Sequence, residues 1–416
     1  MNDIRADLLE YTRTLATFDS HEHLVPEAER LSGRNDFTLF LRMYVRSDLQ
    51  TAGMSRGECD RALDDDGLSE DERFDMLEPY LAMLGQSSYY RAARIALKAC
   101  YGFDGITRGN YRAIGEAVRA AATAGLYRRV LKGRCHLGRI VNQKVFMHTE
   151  GGLFRCNCHV GFYHGPTLAT MVERFAEQEV AADVRDLDSF EAALEELFAT
   201  WRRKSMLALK MGVREMAIPS RDSADAIVRK MARGGTASPE EADALRQFVM
   251  DFFLTKAREH GYVMAVHTGP TASCGNDFRE VSPGHLIRWA RRYPDVRFDM
   301  YHAGVPSIRQ AGFVAKAMPN VTANLCWGHV IAPQMVVNGV DEWLDFLPAN
   351  KIIGFGGDYS PCVEKVYGAL EISRANLVEV MTRRIERGRM DLDEARFLLK
   401  RILVANGEQL YGLAGS

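Results

Sequence analysis

Two stretches, YVMAVHTG (262–269) and VRFDMYHAG (296–304), give the strongest indication of the fold class. Each is a short apolar run that ends in a histidine, a small residue and a glycine. A stretch with the three- and four-residue spacing of a helix precedes or follows each run. The same alternation extends to SMLALKMG (205–212) on one side and to NVTANLCW (320–327) and KIIGFGGD (351–358) on the other. Strands that alternate with helices are typical of a parallel β-sheet.

The spacing of these strands favours a closed barrel over an open dinucleotide-binding sheet. Successive strand ends are about 28 to 35 residues apart, which is normal for a βα unit of a barrel. GFGGDYSP (354–361) lacks the third glycine of the G-x-G-x-x-G fingerprint. RIVNQKVFM (139–147) and LFRCNCHVGF (153–162) are also strand-like, and FDSHEH (18–23) supplies the first strand. The sequence therefore predicts an α/β fold, a (β/α)8 TIM barrel.

Helical spacing predicts an insertion after the first strand and extra helices at the C-terminus. The chain is divided into 1–35, with an N-terminal helix and the first barrel strand, a helical insertion over 36–130, and the remainder of the barrel over 131–416. Within the insertion, the predicted helices cover 37–49, 70–85, 88–102 and 110–125. Later predicted helices cover 167–200, 239–261, 283–293, 306–318 and 339–347, followed by two C-terminal helices over about 362–387 and 391–413.

Composition narrows the class of protein. The 416 residues are 47% hydrophobic and 26% charged, and 53 basic residues nearly balance 55 acidic ones, so neither a nucleic-acid partner nor a membrane partner is expected. No apolar run is long enough for a transmembrane helix, and the N-terminus lacks the apolar core of a signal peptide. The 8 cysteines contain no C-x-x-C pair. We therefore expect a cytoplasmic protein with free thiols.

Potential metal ligands occupy the carboxyl ends of four predicted strands. They are His21 and His23, His267, His302 and Asp358. In a parallel barrel these strand ends share one face, where active sites form. Residues two apart on a strand point to the same side, so His21 and His23 can reach one ion. Neutral imidazoles with a carboxylate suit Zn²⁺, Mn²⁺ or Fe²⁺ and leave positions open for water or substrate.

These motifs, with the stretch from about 205 to 413, resemble the amidohydrolase superfamily of metal-dependent TIM-barrel hydrolases, in the branch near the uronate isomerases. The resemblance implies that His21, His23, His267 and Asp358 hold a divalent metal, for which Zn²⁺ is the expected ion. One ion would be essential and a second is an open alternative. The resemblance also implies that Asp358 is catalytic and accepts a proton from the attacking water.

Two further site residues carry open alternatives. By the resemblance, His302 is either a ligand of a second metal or a catalytic polar group near the substrate carbonyl. Lys210, at the end of SMLALK, would be the carbamylated lysine that bridges the ions in two-metal members. A buried lysine costs several kcal/mol unless it is neutralised, paired or modified. Lys210 alternatively pairs with a carboxylate or contacts a substrate anion.

Residues beyond other strand ends are candidates for substrate binding. Trp327 and His329 follow the seventh strand and are predicted to line the pocket, with plain packing as the alternative. Arg214, beyond the fourth strand, is predicted to bind a substrate carboxylate bidentately, with a solvated surface role as the alternative. Structural roles are expected for His148, His159 and His164.

The predicted function is metal-dependent hydrolysis of an amide, lactone or ester bond of a small, carboxylate-bearing substrate through a metal-activated water. A metal-dependent non-redox decarboxylase and a uronate-type sugar-acid isomerase are the alternatives on the same ligand set. A non-catalytic barrel with a structural metal fits less well, since structural zinc sites are closed and often contain cysteine. The helical insertion and terminal helices offer surfaces for a homo-oligomer. The sequence leaves the substrate, the number of metals and the number of subunits open.

Overall fold

The computed structural model describes residues 2–143, 146–147, 152–163 and 165–414. The predicted structural histidines His148 and His164 lie outside the described residues. Eight parallel strands pair in chain order, which confirms the predicted (β/α)8 barrel. The strands are β1 (Thr17–Glu22), β2 (Leu137–Gln143), β3 (Phe154–His159), β4 (Ala208–Gly212), β5 (Val263–His267), β6 (Arg297–Tyr301), β7 (Val321–Asn324) and β8 (Ile352–Ile353).

Backbone hydrogen bonds close the sheet between β1 and the segment that follows β8. The Ser20 amide donates to the Phe355 carbonyl at 3.0 Å, and the Asp358 amide donates to the His21 carbonyl at 2.9 Å. Glycine is required for this approach, because a Cβ on Gly356 would lie 2.5 Å from the Cβ of Cys326. The glycine-rich stretch before Asp358 therefore brings the last barrel strand against the first one.

Eighteen α-helices among the described residues surround and extend the barrel. They are α1 (Asn2–Thr14), α2 (Glu27–Ser32), α3 (Tyr44–Thr51), α4 (Arg56–Asp64), α5 (Glu70–Leu81), α6 (Ser88–Tyr101), α7 (Tyr111–Ala121), α8 (Leu168–Ala176), α9 (Leu187–Arg203), α10 (Arg221–Ala232), α11 (Pro239–His260), α12 (Leu286–Arg292), α13 (Ile308–Ala317), α14 (Gly328–Ile331), α15 (Pro333–Phe346), α16 (Glu364–Glu386), α17 (Leu392–Lys400) and α18 (Asn406–Leu410). Local sequence signals determine where several helices begin. At α11, for example, Ser238 is the N-cap, Pro239 is the first helical residue, and Glu241 completes a capping box with Ser238.

The structure corrects two predicted helices and adds four that the sequence did not predict, α2, α4, α10 and α14. The stretch 37–49 is not one helix but a 3₁₀ turn, Phe37–Leu41, followed by α3, because Met43 adopts a left-handed φ of 59°. The stretch 167–200 is divided into α8 and α9, and Glu179 between them has a φ of 63°. In both corrected stretches a local backbone reversal interrupts a continuous apolar pattern.

The helices between β1 and β2 have a hydrophobic core of their own and dock on α16. That core includes Phe37, Phe74 and Tyr111, whose rings pack together. A buried ion pair joins the two parts of the protein: Arg30 Nη2 lies 2.9 Å from Glu364 Oε1, and both side chains are 1% exposed. Because the pair is buried away from water, loss of either partner would leave an uncompensated charge in the interior. The insertion is thereby fixed against the chain segment that follows Asp358.

Within the part of the chain that the structure describes, no helix combines the length and apolarity needed to cross a bilayer.

Candidate metal centre and cavity

Side chains from four strand ends meet at the carboxyl face of the barrel. His21, His302 and Asp358 form a buried group whose ligand atoms all lie within 4.8 Å of one another. The remaining two histidines each contact a member of this group. His23 Nε2 lies 3.3 Å from Asp358 Oδ1, and His267 Nδ1 lies 3.0 Å from His302 Nε2. All five predicted strand-end residues thus come together, but His302 lies nearer the centre than the prediction placed it.

The first half of the site surrounds one oxygen of Asp358. Oδ1 of Asp358 lies 3.2 Å from His21 Nε2 and 3.3 Å from His23 Nε2. Positions two apart on β1 present both rings to this oxygen, whereas Glu22 between them faces away and accepts a hydrogen bond from the Tyr359 amide at 2.7 Å. His21, His23 and Asp358 therefore offer two nitrogens and one oxygen to a common point.

The second half of the site pairs two imidazole nitrogens. His267 Nε2 faces the Pro270 carbonyl at 3.0 Å, and His302 Nδ1 faces the Cys326 carbonyl at 3.1 Å. Because a carbonyl oxygen only accepts hydrogen bonds, each ring carries its proton on the nitrogen that faces the carbonyl. The nitrogens left over, His267 Nδ1 and His302 Nε2, are then lone pairs that face each other at 3.0 Å. Such an arrangement is repulsive without a cation beside it.

Burial keeps the three inner imidazoles neutral. The pKa of His21 lies well below its usual value because of burial and then the charge of Lys210. Burial, followed by His267, also lowers the pKa of His302 well below that value, and burial followed by Lys210 lowers the pKa of His267 to about 4. Neutral imidazole is the form that binds a metal. The ligands are therefore in their binding form at neutral pH.

Three residues at this face have a backbone conformation that L-residues rarely adopt. His302, Trp327 and Asp358 follow β6, β7 and β8, and their φ angles are 68°, 54° and 62°. A non-glycine residue in the left-handed region costs roughly 1–2 kcal/mol. Three such residues at successive strand ends indicate that the fold tolerates a loss of stability that directs these side chains toward the candidate metal centre.

Lys210, near the end of β4, lies beside His21. Its Nζ is 2.9 Å from His21 Nε2 and 5.1 Å from the centre of the Tyr301 ring. The side chain is buried at the floor of the cavity. The ε-nitrogen thus lies next to a β1 histidine, and Lys210 shares the cavity wall with His267. The contact is compatible with a carbamylated lysine, and the modification itself stays a prediction.

A cavity of about 770 Å³ opens above the ligand cluster. His23, Lys210, His267 and Asp358 form part of its wall, together with Trp327. Most of the exposed wall is apolar. Concave, mainly apolar cavities with a few polar groups are typical sites for small molecules.

The insertion closes one side of the cavity through an aromatic stack. The ring of Tyr44 lies on that of Trp327, with centroids 4.5 Å apart and planes 23° apart. The Tyr44 hydroxyl also donates to the backbone carbonyl of Asp358. Trp327 in turn meets His302 edge-on at 5.3 Å. Trp327 therefore lies where the sequence predicted it, next to both the cavity and a ligand.

The other two predicted substrate-binding residues differ in outcome. Arg214 lines the cavity and forms an ion pair with Glu280 at 2.9 Å. His329 is a correction: it is buried behind the cavity, with Nε2 facing the Gly354 carbonyl at 2.9 Å and Nδ1 facing Asn376 at 3.2 Å. The left-handed turn at Trp327 starts α14, which turns His329 toward β8 instead of toward the cavity.

Sequence reasoning missed several cavity residues, among them Tyr44 and Arg246; His159, for which a structural role was expected, also lines the cavity. Tyr44 belongs to the helical insertion, and Arg246 belongs to α11, which covers the outside of the barrel. Neither Tyr44 nor Arg246 lies at the end of a strand, so the expectation that strand-end residues meet on one face of the barrel does not apply to them. An aromatic residue in the insertion or an arginine in an amphipathic helix carries no local signal of a site.

The donor set fits a divalent cation. It consists of neutral imidazoles and a carboxylate at an open cavity, and the facing lone pairs of His267 and His302 call for a positive charge. Nδ1 of His21 is buried without a hydrogen-bond partner among the described residues, which leaves its ring orientation to be fixed through Nε2. Nitrogen and oxygen ligands of this kind suit Zn²⁺ and similar ions. Fold and site together define a metal-dependent enzyme built on a (β/α)8 barrel.

Comparison with known sequences gives the family. The sequence model of the amidohydrolase family matches residues 161–413, more than half of the chain. The chain belongs to the amidohydrolase family. The protein fluG of Emericella nidulans is 24% identical over 224 residues, which are 50% of this chain and 25% of fluG. The chain thus spans about a quarter of the length of that relative.

Solved structures show the same fold over the whole chain. A uronate isomerase from Thermotoga maritima superposes with a TM-score of 0.80 at 16% identity, covering 99% of this chain and 98% of its own. A glucuronate isomerase from Caulobacter crescentus also gives 0.80, at 17% identity, over 100% and 95% of the two chains. A proposed metal-dependent hydrolase from Lactobacillus casei gives 0.67 at 13% identity, over 97% of each. The barrel with its helical insertion is therefore a shared architecture.

Proposed function

We propose that the protein is a metal-dependent hydrolase that cleaves an amide, lactone or ester bond of a small, carboxylate-bearing substrate. The observation that carries the proposal is the position of Asp358. One carboxylate oxygen lies within 3.3 Å of both β1 histidines, and the other lies 3.9 Å from His302 Nε2. This carboxylate can hold a cation and also accept a proton at the floor of the cavity.

The residues that would hold the cation follow from the contacts. His21, His23 and Asp358 would hold one ion, and His267 with His302 would hold a second, while Lys210 lies beside His21. When bound, a divalent ion of this kind lowers the pKa of water to about 7 and polarises a carbonyl oxygen.

The chain's own residues then move protons and exclude water. Asp358 accepts the proton of the attacking water and passes it to the leaving group, because its carboxylate faces the cavity from a backbone fixed by Tyr44. His302 donates from Nδ1 to the Cys326 carbonyl, which fixes the ring so that the unprotonated Nε2 lies beside His267 and Asp358, where a cation would bind. The stacked rings of Tyr44 and Trp327 keep bulk water from this side of the carboxylate.

The cavity wall supports a substrate with an apolar body and an acidic group. Val213, Met250 and Val281 contribute aliphatic surface, and Arg214 contributes a basic side chain. A guanidinium is suited to bind a carboxylate through two parallel hydrogen bonds.

Isomerisation of a sugar acid is the second candidate, because two uronate isomerases superpose on the whole chain with TM-scores of 0.80. A sugar acid presents several hydroxyl groups, each of which needs a polar partner when it is buried. Polar side chains of the cavity wall, among them Gln143, His159, Thr271 and Ser360, could serve as such partners. The cavity therefore suits either kind of substrate, and turnover distinguishes the two activities.

The test compares turnover with two kinds of substrate. Purified protein loaded with Zn²⁺ or Mn²⁺ is assayed with carboxylate-bearing amides, lactones and aryl esters, and separately with glucuronate. The proposal predicts hydrolysis and no formation of keto sugar. Asp358→Asn should lower kcat by roughly 10²- to 10⁴-fold, the usual contribution of a positioned base. Conversion of glucuronate without any hydrolytic activity would replace the proposal by the isomerase.

A further inference from the structure

Two arginines separate the cavity from a neighbouring cleft on the protein surface. The cavity has a volume of about 770 Å³ and the cleft about 520 Å³, and Arg214 and Arg246 line both. Arg214 follows β4, and Arg246 projects from α11. They lie on the side of the cavity formed by the β4 and β5 loops.

The acidic partners of these arginines face the outer cleft. Arg214 pairs with Glu280 at 2.9 Å, and Arg246 pairs with Asp243. Glu280 and Asp243 line the cleft but are absent from the cavity wall. Among the described residues that line the cavity, Asp358 is the sole acid. The inner faces of both guanidiniums are therefore positive, with no carboxylate on that side.

Within the described part of the chain, the guanidinium group of Arg246 lacks one of its hydrogen bonds. Its Nε is buried and has no hydrogen-bond partner among the described residues, and its side chain is 21% exposed. Burial, followed by the charge of Arg214, lowers the pKa of Arg246 to about 10. An anion between the two arginines would reduce their repulsion.

Backbone contacts hold the segment around Arg214 in place. The Trp289 indole donates to the Arg214 carbonyl at 3.0 Å, and the Val213 amide donates to the His267 carbonyl at 3.0 Å. Three residues after Arg214, the Ala217 amide donates to Gln247 Oε1, and Gln247 is the neighbour of Arg246 on α11. The two guanidiniums are thus carried by segments that are tied to each other and to β5.

We propose that Arg214 and Arg246 together form the subsite for the carboxylate of the substrate. The inference rests on the proposed function only for the statement that the reactive bond of the substrate lies near Asp358. The apolar body of the substrate would lie against Val213, Met250 and Val281, and its reactive bond would point toward Asp358. This assigns the substrate class as an organic acid whose carboxylate is separated from the reactive bond by an apolar segment. Specificity for the acid then depends on Arg246, which no sequence motif marks.

The test measures binding, so that it does not depend on turnover. Isothermal titration of the metal-loaded protein compares benzoate with benzamide and 3-phenylpropionate with 3-phenylpropionamide. The wild type should bind at least one acid ten times more tightly than its amide. Arg246→Met, which keeps an unbranched chain, should abolish that preference, and Arg246→Lys should keep part of it. The matched control is Arg221→Met, since Arg221 pairs with Asp188 and Glu191 on the surface away from the cavity.

The outcomes separate the subsite from the reaction. In Asp358→Asn the preference for the acid should persist even if all hydrolysis is lost, so a failure of the proposed function leaves the subsite standing. Loss of the preference in Asp358→Asn together with its retention in Arg246→Met would overturn the subsite and place the carboxylate at the ligand cluster. An equal affinity of the wild type for acid and amide in both pairs would also overturn it.

Discussion

The hydroxyl of Tyr44 donates a hydrogen bond to the backbone carbonyl of Asp358, which lies 314 positions later in the chain. This contact connects the helical insertion to the residue that both halves of the metal centre share. It also fixes a backbone whose φ is 62°. The insertion is therefore part of the site and not an appendage to the barrel.

Replacing Tyr44 by phenylalanine should weaken the site without unfolding the protein. The Asp358 carbonyl loses its partner, and a lost buried hydrogen bond costs about 1–3 kcal/mol. We expect a matching decrease in the free energy of unfolding and weaker retention of metal during dialysis. Urea unfolding and elemental analysis measure these effects. Tyr80→Phe, in the same insertion but away from the cavity, is the control; equal effects of both changes would contradict the role of Tyr44.

Gly357 is predicted to tolerate no side chain. A Cβ at this position would lie 2.1 Å from Glu22 Oε1, and Glu22 holds the Tyr359 amide next to Asp358. We expect Gly357→Ala to lower the free energy of unfolding by about 1–3 kcal/mol, the usual cost of overpacking. Gly57→Ala in α4, where nothing lies within 4 Å of the added Cβ, should not lower the free energy of unfolding, because alanine is the better helix former. Thermal unfolding of the pair tests the difference, and an unaltered Gly357→Ala variant would refute the packing argument.

His329 should contribute to the loss of stability in acid. Burial lowers its pKa to about 4, whereas an unfolded chain titrates near 6.5. Between these pH values the unfolded chain binds a proton that the folded chain does not, so the free energy of unfolding falls as pH falls. The full difference for this group is about 3 kcal/mol at 1.36 kcal/mol per pKa unit.

Urea unfolding at pH 7 and pH 4.5 measures that contribution. His329→Gln retains a donor for the Gly354 carbonyl but does not titrate, so the difference between the two pH values should be smaller than in the wild type. His260→Gln, at an exposed position, should leave the difference unchanged. An identical pH dependence in wild type and His329→Gln would show that His329 is not the buried neutral group described above.

Lys210 is expected to carry a carbamyl group when metal is bound. An ammonium group 2.9 Å from His21 Nε2 would repel a cation held by that nitrogen, whereas a carbamate would attract it. We expect ¹³C from labelled bicarbonate to appear in the metal-loaded protein, detected by NMR. The label should be missing in Lys210→Arg, which keeps the charge and cannot bridge. A wild type without the label, but with full activity, would leave Lys210 as a cation that contacts the substrate.

The sequence alone predicts the barrel and most of its ligands, because both follow from one regularity. Parallel strands end on one face, so polar residues at strand ends must meet there. His21, His267 and Asp358 follow this rule. His302 follows it too, but its position at the centre of the cluster depends on the left-handed turn that ends β6. No residue pattern in this sequence predicts that a histidine adopts such a φ angle.

The rest of the site depends on tertiary placement. His329 was predicted to line the cavity from its distance to β7, but the turn at Trp327 directs it into the interior. Tyr44 and Arg246 reach the cavity because an insertion and an outer helix pack against the barrel mouth. Only the packing of these elements determines which of their side chains reach the substrate.

Metal content per chain tests the central claim most directly. After loading with Zn²⁺ and exhaustive dialysis, elemental analysis of the wild type should give at least one divalent ion per chain. The double variant His21→Ala/Asp358→Ala should retain less than a tenth of that amount, and the surface control His260→Gln should retain all of it. Equal metal content in the wild type and the double variant would show that the strand-end cluster does not bind the ion.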